Sequence, residues 1–207
     1  MVKLLKVMYM KKIKDSKILF AQQKFIKTKE LLDMGYSYYL INRMVDFGKI
    51  KKVNGTTFEN LEYDGEDNDL LYASGYIDDG IVCLMSAAVY HGLSTFRPYR
   101  IDVAIRQKSK VSTLPEWPNI SLYYFSEKRY STGVQSVTIE GGAFRVYDME
   151  KTVCDLLAYR NKFGIEDSLS VLKNYIARED RNIDKLIDYA EKLRSKAILM
   201  KYLEVLL

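Results

Sequence analysis

Between Gly35 and Gly48 the chain carries one apolar stripe at helical spacing, Leu40, Ile41, Met44 and Val45, with Ser37 placed to cap its start. Bounded this way, the segment predicts a short amphipathic helix. Serine satisfies amide groups left unbonded at a helix start, and glycine accepts the left-handed backbone that ends one. Just before it, Thr28-Lys29-Glu30-Leu31-Leu32-Asp33-Met34-Gly35 predicts another short helix, with an N-cap at Thr28 and a turn at Gly35. Just after it, Lys49 to Val53 and Thr56 to Leu61 read as two short strands around Asn54-Gly55, a strong hairpin signal. Upstream, Leu4, Leu5, Met8, Ile13, Ile18, Leu19 and Phe20 lie among lysines and predict one more helix. Three helices followed by a hairpin spell a winged helix-turn-helix over residues 1–62.

Charge is distributed unevenly over the 207 residues. Met1 to Thr56 holds 13 Lys/Arg against 4 Asp/Glu, net +9; Thr57 to Val82 holds none against 8, net −8; the remainder holds 19 against 15, net +4. The basic head is therefore the expected anion-binding zone, and residues 63–79 read as an acidic connector with one short helix around Asp69 to Ala73.

Residues 80–207 predict a second domain. Ile81 to Tyr90 reads as an apolar helix. Arg100 to Arg106, Ile120 to Phe125, Val134 to Glu140 and Ala143 to Tyr147 read as strands, with Gly141-Gly142 as a hairpin turn. From Asp148 the chain reads as helical, in pieces capped near Asp148, Gly164, Asn182 and Ser195. The expected class is α+β: an N-terminal winged helix-turn-helix, then a C-terminal domain of a small, mostly antiparallel sheet packed with several helices.

Composition argues against several functions. The longest apolar run, Ile81 to Val89, falls short of the roughly 20 residues that a bilayer span needs. Lys3 and Lys6 interrupt Met1 to Met10, unlike a secretory signal, so a cytoplasmic location without membrane association is expected. Cys83 and Cys154 lie in apolar stretches and read as buried, reduced thiols; His91 is the only histidine and reads as a helix-terminus cap. No metal cluster, nucleophile constellation or phosphate-cradling glycine loop is visible, so no catalytic residue, metal or cofactor is assigned and an enzyme is the weakest expectation.

On the helix after Gly35, the face opposite the apolar stripe carries Tyr39, Asn42, Arg43 and Asp46. The second helix of a helix-turn-helix enters the major groove by its N-terminal part. Ser37, Tyr38, Tyr39, Asn42 and Arg43 are thus the candidate base and phosphate contacts, and Asp46 lies too far along to join them. Asn pairs with adenine and Arg with guanine through two hydrogen bonds each. Lys49, Lys51, Lys52 and Asn54 on the wing suit phosphates, as do Lys11, Lys12 and Lys14 beside the first helix. The competing expectation is a winged helix that docks a protein partner without sequence-specific DNA binding. A possible second basic patch comprises Arg97, Arg100, Arg106, Lys108 and Lys110 around the single acid Asp102, and reads equally as solvated loop charge or as a surface for RNA, DNA or a toxin.

Two stretches of the second domain carry a family resemblance. One is Gly80-Ile-Val-Cys-Leu-Met-Ser-Ala-Ala-Val-Tyr-His-Gly-Leu93, running on through Pro98 to Ile101-Asp-Val-Ala-Ile105. The other is Arg145-Val-Tyr-Asp-Met-Glu-Lys-Thr-Val-Cys-Asp-Leu-Leu-Ala-Tyr-Arg-Asn-Lys-Phe-Gly164, followed by the helical tail ending Tyr202-Leu-Glu-Val-Leu-Leu207. With Thr28 to Leu32 and Gly35, they resemble the AbiEi family, antitoxins and autorepressors of type IV toxin-antitoxin systems in abortive phage infection. The resemblance implies a repressor that binds double-stranded DNA at inverted repeats in its own promoter. It also implies an antitoxin that counteracts a nucleotidyltransferase toxin without requiring a stable complex. Toxins of that type carry a Gly-Ser segment before paired aspartates; this chain has no Gly-Ser, which implies the antitoxin role.

Overall fold

Two sheets organise the chain, one of three antiparallel strands and one of five strands in mixed directions. The computed structural model describes residues 22–96 and 98–206, a mixed α+β fold. It divides into two units: Met1–Asp78 with Val111–Leu114 and Thr138–Ala143, and Asp79–Lys110 with Pro115–Val137 and Phe144–Leu207. The helix expected before Gln22, with Lys11, Lys12 and Lys14, lies outside the described residues.

In the first unit, strand β1 (Phe25–Lys27) leads into helix α1 (Thr28–Asp33), then helix α2 (Tyr38–Asp46), strand β2 (Ile50–Lys52) and strand β3 (Thr57–Asn60). The sheet order is β1-β3-β2, with Ile26 opposite Phe58 and Lys51 opposite Glu59. Ile26, Leu31, Ile41, Ile50 and Phe58 form the core, with Met44 and Val45 packed against it. The stripe is therefore the buried face of α2. Ser37 Oγ accepts the Leu40 N–H at 3.3 Å, and Gly35 and Gly48 take φ of 81° and 65° where the two helices end. The cap of α1 falls one residue earlier than expected. The Lys27 N–H donates to Glu30 Oε2 at 2.7 Å, while the Thr28 hydroxyl and N–H both donate to the Thr56 carbonyl.

The acidic stretch does not hang as a free connector. Its helix α3 (Leu70–Tyr76) buries Leu71, Ala73 and Tyr76, and the Phe25 ring meets Tyr72 and Tyr76 edge-on at 5.2 and 6.0 Å. Six acids among residues 63–79 hid the apolar side of the short helix that anchors the stretch.

The second unit begins with strand β4 (Ile81–Val82), followed by helix α4 (Leu84–Tyr90), strand β5 (Arg100–Arg106), strand β6 (Asn119–Phe125), helix α5 (Glu127–Ser131) and most of strands β7 (Val134–Ile139) and β8 (Gly142–Tyr147), whose adjoining ends fall within Thr138–Ala143. Helices α6 (Met149–Ala158), α7 (Arg160–Phe163), α8 (Ile165–Ile176), α9 (Ile183–Lys192) and α10 (Lys196–Leu206) complete it. Two expectations need correcting. Ile81 to Tyr90 is a strand and a shorter helix, because Ile81 and Val82 pair with β5 and Leu84 takes φ 49° where the chain turns. The sheet, of order β6-β5-β4-β8-β7, is mixed rather than mostly antiparallel, since β5 pairs β6 and β4 pairs β8 in parallel. Residues 107–118 supply the long connection that parallel neighbours need, and alternation along a strand says nothing about its direction.

Both stretches of the family resemblance meet in this sheet, where Val82 pairs with Val146. Asp148 and Asn182 cap α6 and α9 as expected, accepting the Lys151 and Lys185 N–H groups at 2.9 Å each. Cys83 and Cys154 are free, buried thiols, and burial raises both pKa values, that of Cys154 to about 12. His91 is the C-cap of α4, its N–H donating to the Ala87 carbonyl at 3.0 Å, but its ring does not bond the helix's last carbonyls. Its Nε2 lies 2.6 Å from the Tyr147 carbonyl oxygen, a strand group rather than one of its own helix's last carbonyls.

Candidate nucleic-acid interface

The outward face of α2 holds Tyr38, Tyr39, Asn42, Arg43 and Asp46 exposed, with Tyr38 at 64% and Tyr39 at 68% of full exposure. Helical geometry produces this directly: burying Ile41 and half-burying Leu40, Met44 and Val45 turns the intervening positions to solvent. Ser37 is spent as the cap, so its hydroxyl already accepts an amide proton. Phe47 was not anticipated. It is 65% exposed, and the Arg43 guanidinium lies 4.7 Å from its ring centre, a cation–π contact one helical turn apart. An Arg at i and an aromatic at i+4 was the available signal.

Ion pairs divide the basic residues of the first unit into two sets. Lys24 meets Glu59 at 3.6 Å and Asp67 at 3.3 Å, Lys27 meets Asp78, and Lys49 meets Glu62 at 3.1 Å. Lys29, Arg43, Lys51 and Lys52 have no carboxylate partner among the described residues, and all four are exposed. The acidic stretch thus neutralises lysines of its own unit and leaves a smaller set able to meet phosphates. Of the expected wing contacts, Lys51 and Lys52 remain open and Lys49 is engaged.

Asn54 is committed to the turn. Its Oδ1 accepts the Thr56 N–H at 2.9 Å, and its amide donates to the Gly75 and Tyr76 carbonyls at 3.4 and 3.3 Å. This side chain builds the hairpin rather than reaching out from it.

The expected second patch is not one surface. Arg97 lies outside the described residues. Arg100 and Arg106 sit at opposite ends of β5, about 20 Å apart at strand rise. Arg106 is paired with Asp79 and Glu127 at 3.1 Å each and covers the Tyr130 ring, and Arg100 lies 3.4 Å from Asp102. Only Lys108 and Lys110 remain exposed without a carboxylate partner among the described residues.

No helix among the described residues is long and apolar enough to cross a membrane. In comparisons with known proteins, no family model matches the chain, and no curated protein does.

Proposed function

We propose that the chain is a DNA-binding repressor of its own operon and an antitoxin of the AbiEi type, acting against a nucleotidyltransferase toxin. The observation that supports DNA binding best is the arrangement on α2 and the hairpin: a capped helix exposing Tyr38, Tyr39, Asn42 and Arg43, followed by a hairpin whose Lys51 and Lys52 lack carboxylate partners among the described residues. The order β1-α1-α2-β2-β3 with sheet order β1-β3-β2 is the arrangement expected of a winged helix-turn-helix with α2 as reader. Asn42 and Arg43 would read base edges, and Lys51 and Lys52 would sit on phosphates. The antitoxin half rests on the resemblance of Gly80–Leu93 and Arg145–Gly164.

The test is binding to the DNA upstream of the chain's own gene, against scrambled DNA, over a range of salt. Preference for the upstream sequence, weakening linearly in log salt, is expected. The antitoxin half is tested by whether co-expression of the chain rescues growth inhibited by a nucleotidyltransferase toxin of that type. A second reading, a protein-docking winged helix, is favoured by three exposed aromatics on and just after one short helix: Tyr38, Tyr39 and Phe47. Absence of DNA binding at low salt decides for it.

A further inference from the structure

In the second unit, α5 and the end of α9 line a half-open cavity of about 350 Å³, its walls made by Ser126, Lys128, Arg129, Lys192, Leu193 and Arg194. Four of the six lining residues are cations and none is acidic. Lys128, Lys192 and Arg194 are exposed and have no carboxylate partner among the described residues. The adjacent acids are engaged elsewhere, Glu127 with Arg106 at 3.1 Å and Glu191 with Lys196 at 2.8 Å. Like charges brought together without a counter-ion repel one another, and an anion removes that cost.

Arg129 gives the cavity a fixed floor. Its Nη1 donates to Asp155 and its Nη2 to the Leu193 carbonyl, while Asp155 is also held by the fully buried Lys151. Two anchored bonds leave further guanidinium N–H groups for a ligand. Arg194 occupies the position after the α9 C-cap, at φ 60°. Glycine is the usual residue there, because a side chain is strained in the left-handed region. A lysine in a last helical turn complements the helix dipole unaided. That account covers neither the strained arginine nor the two α5 cations turned to the same cavity.

We propose that this cavity binds the polyphosphate chain of a small ligand, the di- or triphosphate group being its recognised part. Three unpaired cations and Arg129 match a compact ligand of several negative charges better than a singly or doubly charged anion. The volume lies at the small end of ligand pockets. Leu193 is the only apolar lining residue and no aromatic face is present to stack on a base, so the phosphates themselves are the determinant.

The experiment is titration calorimetry of the full chain with tripolyphosphate, ATP, pyrophosphate and sulfate at matched ionic strength. Tripolyphosphate and ATP are expected to bind alike, and at least about tenfold more tightly than sulfate. Lys128→Ala, Lys192→Ala and Arg194→Gly should each weaken tripolyphosphate about tenfold, while Lys51→Ala with Lys52→Ala should not. Arg194→Gly also guards against a folding artefact: glycine relieves the strained backbone, so this variant should melt higher without ligand while binding more weakly. Sulfate as tight as tripolyphosphate, ATP bound but tripolyphosphate not, or affinities unchanged in the three cavity variants would each overturn the proposal. So would a parallel loss of duplex DNA affinity in those variants, which would make these cations part of a DNA surface.

Discussion

Both carboxylate oxygens of Glu62 accept from one ammonium, that of Lys49, at 3.1 and 3.3 Å. The pair is about half exposed, so it adds little to stability, but it occupies a lysine that the sequence places at the base of the wing. Glu62→Gln should therefore release Lys49. DNA affinity is expected to rise at low salt, with the slope of log affinity against log salt steepening by up to about 0.9. Lys49→Ala should change the slope hardly at all. A Glu62→Gln protein whose salt titration overlays that of the parent would show that Lys49 lies away from the DNA even when free.

Lys51 and Lys52 lack such partners among the described residues. Replacing both by alanine should weaken operator and random DNA alike and flatten the salt slope by about 1.8. Sequence preference should survive, since lysine contacts to phosphates carry no base information. An unaltered slope, with circular dichroism confirming the fold, would remove the hairpin from the interface.

Asn42 and Arg43 lie opposite the buried face of α2, so alanine at either should leave the fold intact and relax base choice by about 1–3 kcal/mol. Competition between operator and scrambled DNA measures this. Arg43→Lys separates two roles: it keeps the charge but loses the planar fork that both stacks on Phe47 and grips guanine, and so should lose discrimination before affinity. Unchanged discrimination in all three variants would mean that α2 does not read bases.

Burial holds His91 below its ordinary pKa of 6.5, although the Tyr147 carbonyl and nearby carboxylates pull the other way. The unfolded chain then takes up a proton first as pH falls. Stability is full above about 6.5 and is lost as pH drops from there toward the folded-state value, by at most about 1.4 kcal/mol per pH unit. As the only histidine, His91 makes the attribution clean. Urea melts at pH 7.5 and 5.5 should show a smaller loss for His91→Gln, whose amide can still donate to the same carbonyl. Equal losses would assign the effect to carboxylates.

Asp102 is fully buried on β5, Arg100 Nε lies 3.4 Å from its Oδ1, and neither carboxylate oxygen is hydrogen-bonded among the described residues; burial raises its pKa against the pull of Arg100 and Tyr123. The charged form is thus disfavoured in the folded chain. Asp102→Asn should stabilise the fold at pH 7 by about 1–3 kcal/mol. The gain should shrink as pH falls through the raised pKa toward 3.8, below which the aspartate is itself neutral in both states. Destabilisation at pH 7 would mean that the charge is held in place by Arg100.

The sequence by itself determined the buried face of α2, the ends of α1 and α2, and the starts of α2, α6 and α9. Ile41 and Met44 follow from a period of 3.6, Gly35 and Gly48 from the backbone only glycine adopts freely, and Ser37, Asp148 and Asn182 from amides that a helix start leaves unbonded. All of these are local rules, satisfied within one or two turns of chain. Only the tertiary structure decided which charges meet. Asp67 reaches Lys24, Asp78 reaches Lys27, and Lys128 comes to share a cavity with Lys192. It also decided that β5 and β6 run parallel, because a strand's alternation marks its buried side but leaves its neighbour and direction to the packing of distant segments. Of the seven Lys and Arg described between Gln22 and Thr56, folding pairs Lys24, Lys27 and Lys49 with carboxylates of the following acidic stretch and leaves Lys29, Arg43, Lys51 and Lys52 without one among the described residues, because a carboxylate many residues away can lie within 4 Å in space.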